Sequence, residues 1–348
     1  MLFREEEEEE EEKVFVSSIE RNYSNMSLTG LISRLLGKEE RMEDCEEAAK
    51  VESMWIYPVK SCRGISVSEA PICSTGFRWD RLWMVVNSGG RACTQRVEPS
   101  LALVEVELPR DAFCEGWEPK NGSFLEIMAP GMDALKVPLI EPSTVSDGIS
   151  VWGWSGSALD EGDEAAEWFT KYLGKPSRLV RFHEASQTRL VDPNYAAGHK
   201  IKFNDSFPIL LASQKSLDVL NEQLKEPVSM NRFRPNILVD GCEPYVEDFW
   251  KEIKINGLTF NSGRLCFRCK IPRVNQETAE VGAEPNETLT KFRSSEHLHP
   301  NKKPHGRVYF GQTLVCNDWD ARGKPKTVKV GDLVYVLKMV SSYGDVAV

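Results

Sequence analysis

A chain of 348 residues with a formal charge of −10 exceeds the roughly 100–200 residues of one typical domain, so two domains and a sizeable core are expected. Glu5–Glu12, an unbroken glutamate run, supplies −8 of that charge. The remaining body is nearly balanced and lacks the basic excess that a nucleic-acid binder needs. Nine cysteines, an odd number at irregular spacing, point to reduced thiols and against a secreted disulfide scaffold. No window approaches roughly 18 consecutive apolar residues, so no membrane span is expected. An N-terminus that runs from Met1 straight into glutamates fits neither a secretory signal nor an Arg-rich transit peptide. Together these features describe a soluble, intracellular protein.

Residues 1–49 read as an acidic, disordered tail, because the glutamate block repels itself and Lys38–Glu47 is again charged and poor in aromatics. Within it Leu28, Leu31, Ile32, Leu35 and Leu36 follow helical spacing between Ser27 and Gly37, which predicts a short amphipathic helix. From Val51 onward short apolar runs are broken by Gly, Pro and Asn. Met54–Tyr57, Leu82–Val86, Leu101–Val106 and Phe124–Met128 read as strands, and Asn87–Gly90 as a hairpin turn. Asp163–Gly174 places Ala165, Trp168, Phe169, Tyr172 and Leu173 on one face, with acids at its start and glycine at its stop, which predicts a helix. A second helix is expected from Ser213 through Leu224. Ile237–Val239 and Leu333–Leu337 follow as strands, the last launched by the turn Val330-Gly-Asp332. There is no GxGxxG or Walker-type loop, so neither a dinucleotide domain nor a P-loop enzyme is indicated.

Chemistry concentrates in Arg264-Leu-Cys-Phe-Arg-Cys-Lys270. A thiol flanked by Arg268 and Lys270 ionises more readily, and the thiolate is the form that binds metals or attacks electrophiles. Two further stretches, Tyr57-Pro-Val-Lys-Ser-Cys-Arg-Gly64 and Asn231-Arg-Phe-Arg-Pro-Asn236, join basic side chains to turn formers, a composition suited to an anionic, phosphate-bearing ligand. On its own, Cys266-x-x-Cys269 leaves several readings open. Zinc would need His297 and His299 as partners at an unusual spacing. A redox dithiol would need a thioredoxin-like context that Asn261-Ser-Gly263 does not offer. Two buried, inert thiols remain a plain alternative.

Five motifs in order narrow this choice: Pro58-Val-Lys-Ser-Cys-Arg-Gly64, Trp79-Asp-Arg-Leu-Trp83, Asn231-Arg-Phe-Arg-Pro-Asn236, Arg268-Cys269 and Val328-Lys-Val-Gly-Asp-Leu-Val334. Over about residues 50–340 the chain resembles MOSC-domain proteins with an MOSC N-terminal β-barrel domain, in particular the plant-type branch of the mitochondrial amidoxime reducing component family. The resemblance implies a β-rich α/β fold with a tail (1–49), an N-terminal β-barrel-like domain (50–185) and a MOSC β-barrel domain with a few helices (186–340).

It also implies an enzyme: a molybdenum cofactor-dependent oxidoreductase acting on N-hydroxylated compounds such as amidoximes and hydroxylamines. Cys269 matches the metal ligand and catalytic position. Lys60, Ser61, Arg81, Ser206, Arg234, Asn236, Arg268 and Thr313 match positions that hold the cofactor. Without a flavin, haem or cluster signature, electrons must come from outside, by resemblance from cytochrome b5 and its NADH-dependent reductase. The basic stretch Lys302-Lys-Pro-His-Gly-Arg307 is a possible docking surface.

The alternative is a non-reductive molybdenum cofactor-binding or sulfur-carrier MOSC protein, as in cofactor sulfurases. The pyridoxal phosphate domain of those enzymes does not fit into some 50 tail residues, so pyridoxal phosphate is not assigned. Arg63 reads as a solvated loop charge, Cys266 as structural, and His183, His199 and His305 as surface or satisfied side chains. Relatives commonly carry a small hydroxyl residue where Phe267 stands, which predicts either a missing hydrogen bond near the metal or a drier pocket. Animal relatives carry a membrane anchor where this chain has glutamates, so the compartment stays open between cytoplasm and a mitochondrion-associated location.

Overall fold

The computed structural model describes residues 47–320, 322, 323 and 326–348. The expected Ser27–Gly37 helix and the tail up to residue 46 lie outside the described residues. The first strand nevertheless begins at Glu47, so the last three residues assigned to the tail, Glu47–Ala49, belong to the folded body.

The fold is β-rich, as expected. Its centre is a closed barrel of seven strands, in the order Glu47–Ile56, Ile237–Asp240, Ile209–Ser213, Tyr309–Cys316, Leu258–Phe267, Trp250–Ile255 and Leu333–Met339. Glu47–Ile56 closes the ring by pairing antiparallel with both Ile237–Asp240 and Leu333–Met339. Closure leaves no unpaired edge to template aggregation. Val51, Met54 and Ile56 on that strand are buried, as are Val239, Ile253, Phe260 and Leu314 on its neighbours. Only Ile209–Ser213 and Ile237–Asp240 run parallel. A parallel pair needs a crossover, and the helix Gln214–Glu222 supplies it, burying Leu217 and Leu220.

Around the barrel the N-terminal half builds smaller sheets. Trp83–Asn87, Ser177–Phe182, Trp154–Asp160 and Val145–Val151 form an antiparallel four-stranded sheet. The helix Asp163–Leu173 buries Ala165, Trp168 and Phe169 and ends on Gly174 at φ 68°, the left-handed cap the sequence pattern called for. The Asn87–Gly90 turn forms, closed by Gly90 N–H donating to the Asn87 carbonyl at 2.9 Å. One expected strand is corrected: within Leu101–Val106, Pro99–Leu103 winds into a 3-10 helix and only Glu105–Glu107 pairs as a strand. Pro99 has a fixed φ and no N–H to give to a ladder, which favours a helical start over an extended one.

A single hydrophobic core runs through both halves, joining Val85 and Phe182 of the four-stranded sheet to Val239 and Ile253 of the barrel. The Glu47–Val348 body is accordingly one compact unit.

Candidate functional site

Loops from both halves converge on a cavity of about 310 Å³. Every residue singled out from the sequence lines it: Lys60, Ser61, Arg81, Ser206, Arg234, Asn236, Arg268, Cys269 and Thr313. Arg96, Trp152 and Asp205, which sequence reasoning missed, line it as well, as does Arg264, the first residue of the Cys266/Cys269 stretch. The backbone there is unusual. Ser61, Arg81, Trp152 and Arg234 sit at φ 70°, 48°, 54° and 57°, four of the eight non-glycine residues with positive φ among the described residues. A Cβ makes that conformation costly, and such strain gathers where the surrounding fold holds a side chain in a demanded direction.

Asp80 is the anchor of this arrangement. Its carboxylate is 1% exposed and accepts from Tyr57 N–H at 2.9 Å, Asn236 Nδ2 at 2.9 Å, Asn204 Nδ2 at 3.1 Å and Arg81 Nη1 at 2.7 Å. Three segments far apart in sequence are thereby tied to one buried charge. Tyr57 completes the link, because the Arg81 and Arg234 guanidiniums each lie 4.3 Å from the centre of its ring. Gly64 at the end of the same loop is needed for close approach, since a Cβ there would stand 2.5 Å from the Tyr57 ring.

Charge in the cavity is out of balance. Lys60, Arg81, Arg96, Arg234, Arg264 and Arg268 line it against one carboxylate, Asp205, with Asp80 behind. Lys60 Nζ donates to the Phe203 carbonyl at 2.7 Å and to Asp205 Oδ1 at 2.5 Å. Burial nonetheless pulls its ammonium down to about 8. Arg96 Nη2 and Trp152 Nε1 donate to the same carboxylate at 2.7 and 3.0 Å. Burial pushes the Asp205 carboxyl up, but Lys60 and Arg96 hold it well below the usual carboxylate range.

Arg234 donates to the Cys62 carbonyl at 2.7 Å and makes no ion pair among the described residues, and burial lowers its guanidinium to about 10. Arg268 donates to Cys266 Sγ at 3.0 Å and to the Phe233 carbonyl at 2.7 Å, while its Nε is buried without a partner. Buried cations without anions are expensive in a bare protein. Such a set of donors fits a ligand that carries several negative charges.

Cys269 lies in the same wall, its Sγ accepting the Ile271 N–H at 3.5 Å and its carbonyl accepting from Asn286 Nδ2 at 3.1 Å. Cys266 faces Arg268. The zinc arrangement with His297 and His299 does not form: among the described residues no His, Cys, Asp and Glu side chains group to hold a metal by themselves. His297 Nδ1 pairs with Ser294 Oγ, and both His299 ring nitrogens are buried without partners. Arg63 is not a free loop charge, because it pairs with Glu105 at 2.8 Å and Glu277 at 3.0 Å.

Thr313 is used locally. Its Oγ1 accepts from Arg264 N–H at 3.0 Å and donates to the Arg264 carbonyl at 2.7 Å. This bridges a register shift between Leu258–Phe267 and Tyr309–Cys316 that turns Arg264 toward the cavity. Phe267 does not make a plain apolar wall, since Arg264 lies 5.0 Å and Arg307 4.7 Å from its ring centre.

Comparison with known proteins identifies both domains. Residues 48–176 match the MOSC N-terminal beta barrel domain and residues 198–335 the MOSC domain. The chain is 33% identical over 306 residues to mitochondrial amidoxime reducing component 2 of Bos taurus, covering 85% of each protein. It is 32% identical over 302 residues to mitochondrial amidoxime-reducing component 1 of Homo sapiens, covering 84% of each. A third relative, the molybdenum cofactor sulfurase of Oryza sativa, is 31% identical over 313 residues, which span 82% of this chain but 35% of that protein. The chain thus belongs to the MOSC-domain family that includes the amidoxime reducing components, and its function is tied to the molybdenum cofactor.

Proposed function

We propose that the protein is a molybdenum cofactor-dependent reductase of N-hydroxylated compounds, with Cys269 as the protein's ligand to the metal. The observation that carries this reading is the cavity with six cationic side chains, one lining carboxylate and a thiol in the same wall. A phosphate-bearing, dithiolene-bearing group would supply the anion that Arg234 and Arg268 lack, and a soft metal takes a thiolate. When bound, that group would supply a metal able to take oxygen from nitrogen in a two-electron step.

The chain's own residues do the rest. Lys60, Ser61, Arg81 and Arg234 would grip the anionic end, with Asp80 fixing the direction of Arg81 and Asn236 and the Tyr57 ring flanking Arg81 and Arg234. Arg268 donates to Cys266 Sγ and the Ile271 N–H to Cys269 Sγ, so both sulfurs are held in place at the cavity wall. Trp152 and Arg96 wall the cavity on the opposite half of the chain. Net reaction requires two electrons and two protons for each oxygen released as water.

The resemblance supplies cytochrome b5 and its NADH-dependent reductase as the electron source. Lys302 and Lys303 are exposed on the loop whose Arg307 leans on Phe267, beside the cavity. An acidic carrier would meet them there. Reversing Lys302 and Lys303 to glutamate should slow carrier-driven turnover and flatten its salt dependence while leaving turnover with a small chemical reductant unchanged. Unchanged carrier-driven rates would remove the docking assignment.

The match to a molybdenum cofactor sulfurase supports a second reading, in which Cys269 carries sulfur and no N–O bond is reduced. A single assay separates the two. Protein from a host that makes the cofactor is given a chemical reductant and benzamidoxime. We expect reduction to benzamidine by the parent and by Cys266→Ala, and none by Cys269→Ala. Equal turnover by Cys269→Ala would refute the mechanism. No turnover with a mass gain of one sulfur atom on Cys269 would favour the carrier reading.

A further inference from the structure

Four side chains form a stack that runs along one wall of the cavity. Tyr195 and Phe267 each lie 5.0 Å from the Arg264 guanidinium, and Arg307 lies 4.7 Å from the far partner of that pair, Phe267. The stack is held at Tyr195 and at Arg264. Tyr195 Oη donates to the Val348 carbonyl at 2.9 Å, and the Arg264 backbone is clamped by the Thr313 hydroxyl. Gly263 is required for the geometry, since a Cβ there would run into the Phe207 ring that packs beside Tyr195.

Two like charges bracketing one ring repel each other, yet neither Arg264 nor Arg307 makes an ion pair among the described residues. Among the described residues the Arg264 guanidinium donates to Ser206 Oγ alone, at 3.5 Å. Of the cations assigned above to the cofactor, Lys60 and Arg234 are buried, 5% and 7% exposed, and Arg81 and Arg268 are half-buried. Arg264 is half-buried and Arg307 exposed. Positive charge therefore continues outward from the cofactor-holding end to the surface, where an incoming small molecule passes it.

We propose that Arg264, supported through the Phe267 ring by Arg307, is a specificity-determining residue that selects substrates carrying a carboxylate away from the reacting nitrogen. This rests on the reductase reading for the word substrate, but the anion preference itself is a binding property. Arg264 holds the carboxylate through a charge-assisted, forked pair of N–H donors. Arg307 adds longer-range attraction, which salt screens.

The test is an equilibrium titration of protein purified from a host that makes the cofactor, using benzamidoxime and 4-carboxybenzamidoxime as probes, followed by turnover of each. The parent should bind the carboxylate compound roughly tenfold or more tightly than the neutral one at low salt, and the gap should shrink as salt is raised. Arg264→Gln should remove most of the gap, with affinity for benzamidoxime and bound molybdenum and pterin unchanged. Arg264→Lys, which keeps the charge and loses the fork, should retain part of it. Arg307→Gln should narrow the gap by less than Arg264→Gln.

Equal affinity for both probes in the parent, or an intact gap in Arg264→Gln, overturns the proposal. Loss of bound pterin in Arg264→Gln also overturns it, since Arg264 would then hold the cofactor. Failure of the reductase reading looks different: the affinity gap would respond to Arg264 as described while neither probe is reduced.

Discussion

Arg234 and Arg293 are both buried, 7% and 2% exposed, and the protein surrounds them in opposite ways. Arg293 donates to Asp248 Oδ2 at 2.5 Å and to Tyr343 Oη at 2.7 Å. Although burial works against the charge, the Asp248 carboxylate holds the Arg293 guanidinium above the ordinary arginine value. Arg234 meets a carbonyl and the face of Tyr57, and burial brings it down to about 10. One charge is neutralised inside the fold. The other meets no carboxylate among the described residues, the condition under which a bound anion would stabilise it most.

Breaking the neutralised region should have the larger effect on folding. Asp248→Ala leaves Arg293 buried and unpaired and should cost about 3–5 kcal/mol of stability, read from urea unfolding. A loss below about 1 kcal/mol would mean that Tyr343 and water already satisfy Arg293. Arg234→Met should behave in the reverse sense. It removes an uncompensated cation, so stability of the cofactor-free protein should hold within about 1 kcal/mol or rise, while retention of pterin falls. A stability loss like that of Asp248→Ala would show Arg234 to be structural.

The smallest effect concerns Glu247, beside Asp248. Burial and then the Asp248 charge raise its carboxyl to about 7, and one of its oxygens has no partner. Because the folded value lies above the ordinary carboxyl value of 4.5, its stabilising contribution is present below about pH 4.5 and is lost as pH rises through about 7. Glu247→Gln should therefore gain stability relative to the parent between pH 5 and pH 8, measured by parallel melts, while parallel curves across that window would contradict the assignment.

Many of the cavity's lining residues were legible because local motifs carry them. Lys60, Arg81, Arg234 and Cys269 each sit in a short run of basic and turn-forming residues whose purpose is hard to explain as surface. Arg96, Trp152 and Asp205 have no such company, and Arg264 opens the same run as Cys269 but was given no role of its own. Asp205 acquires its role only when the fold brings Lys60, Arg96 and Trp152 to one carboxylate. Trp152 had a faint signal, a tryptophan before Gly153 at the tip of a hairpin, and it is 59% exposed beside the cavity.

The fold divides similarly. Helix Asp163–Leu173 was legible from period and caps. The pairing of Glu47–Ile56 with Ile237–Asp240 and Leu333–Met339, which closes the barrel, was not, because register between distant strands leaves no local trace. Leu101–Val106 was misread because its apolar run outweighed the proline that starts the 3-10 turn.

The central claim is that the unpaired cations and Cys269 together hold a molybdenum cofactor. It is tested most directly by measuring molybdenum and released pterin in the parent, Arg234→Met and Cys269→Ala, each purified from a host that makes the cofactor. The account predicts about one molybdenum and one pterin per chain in the parent, less pterin in Arg234→Met, and weakened metal binding in Cys269→Ala. Zinc without pterin, or folded parent protein that carries no molybdenum, would contradict it.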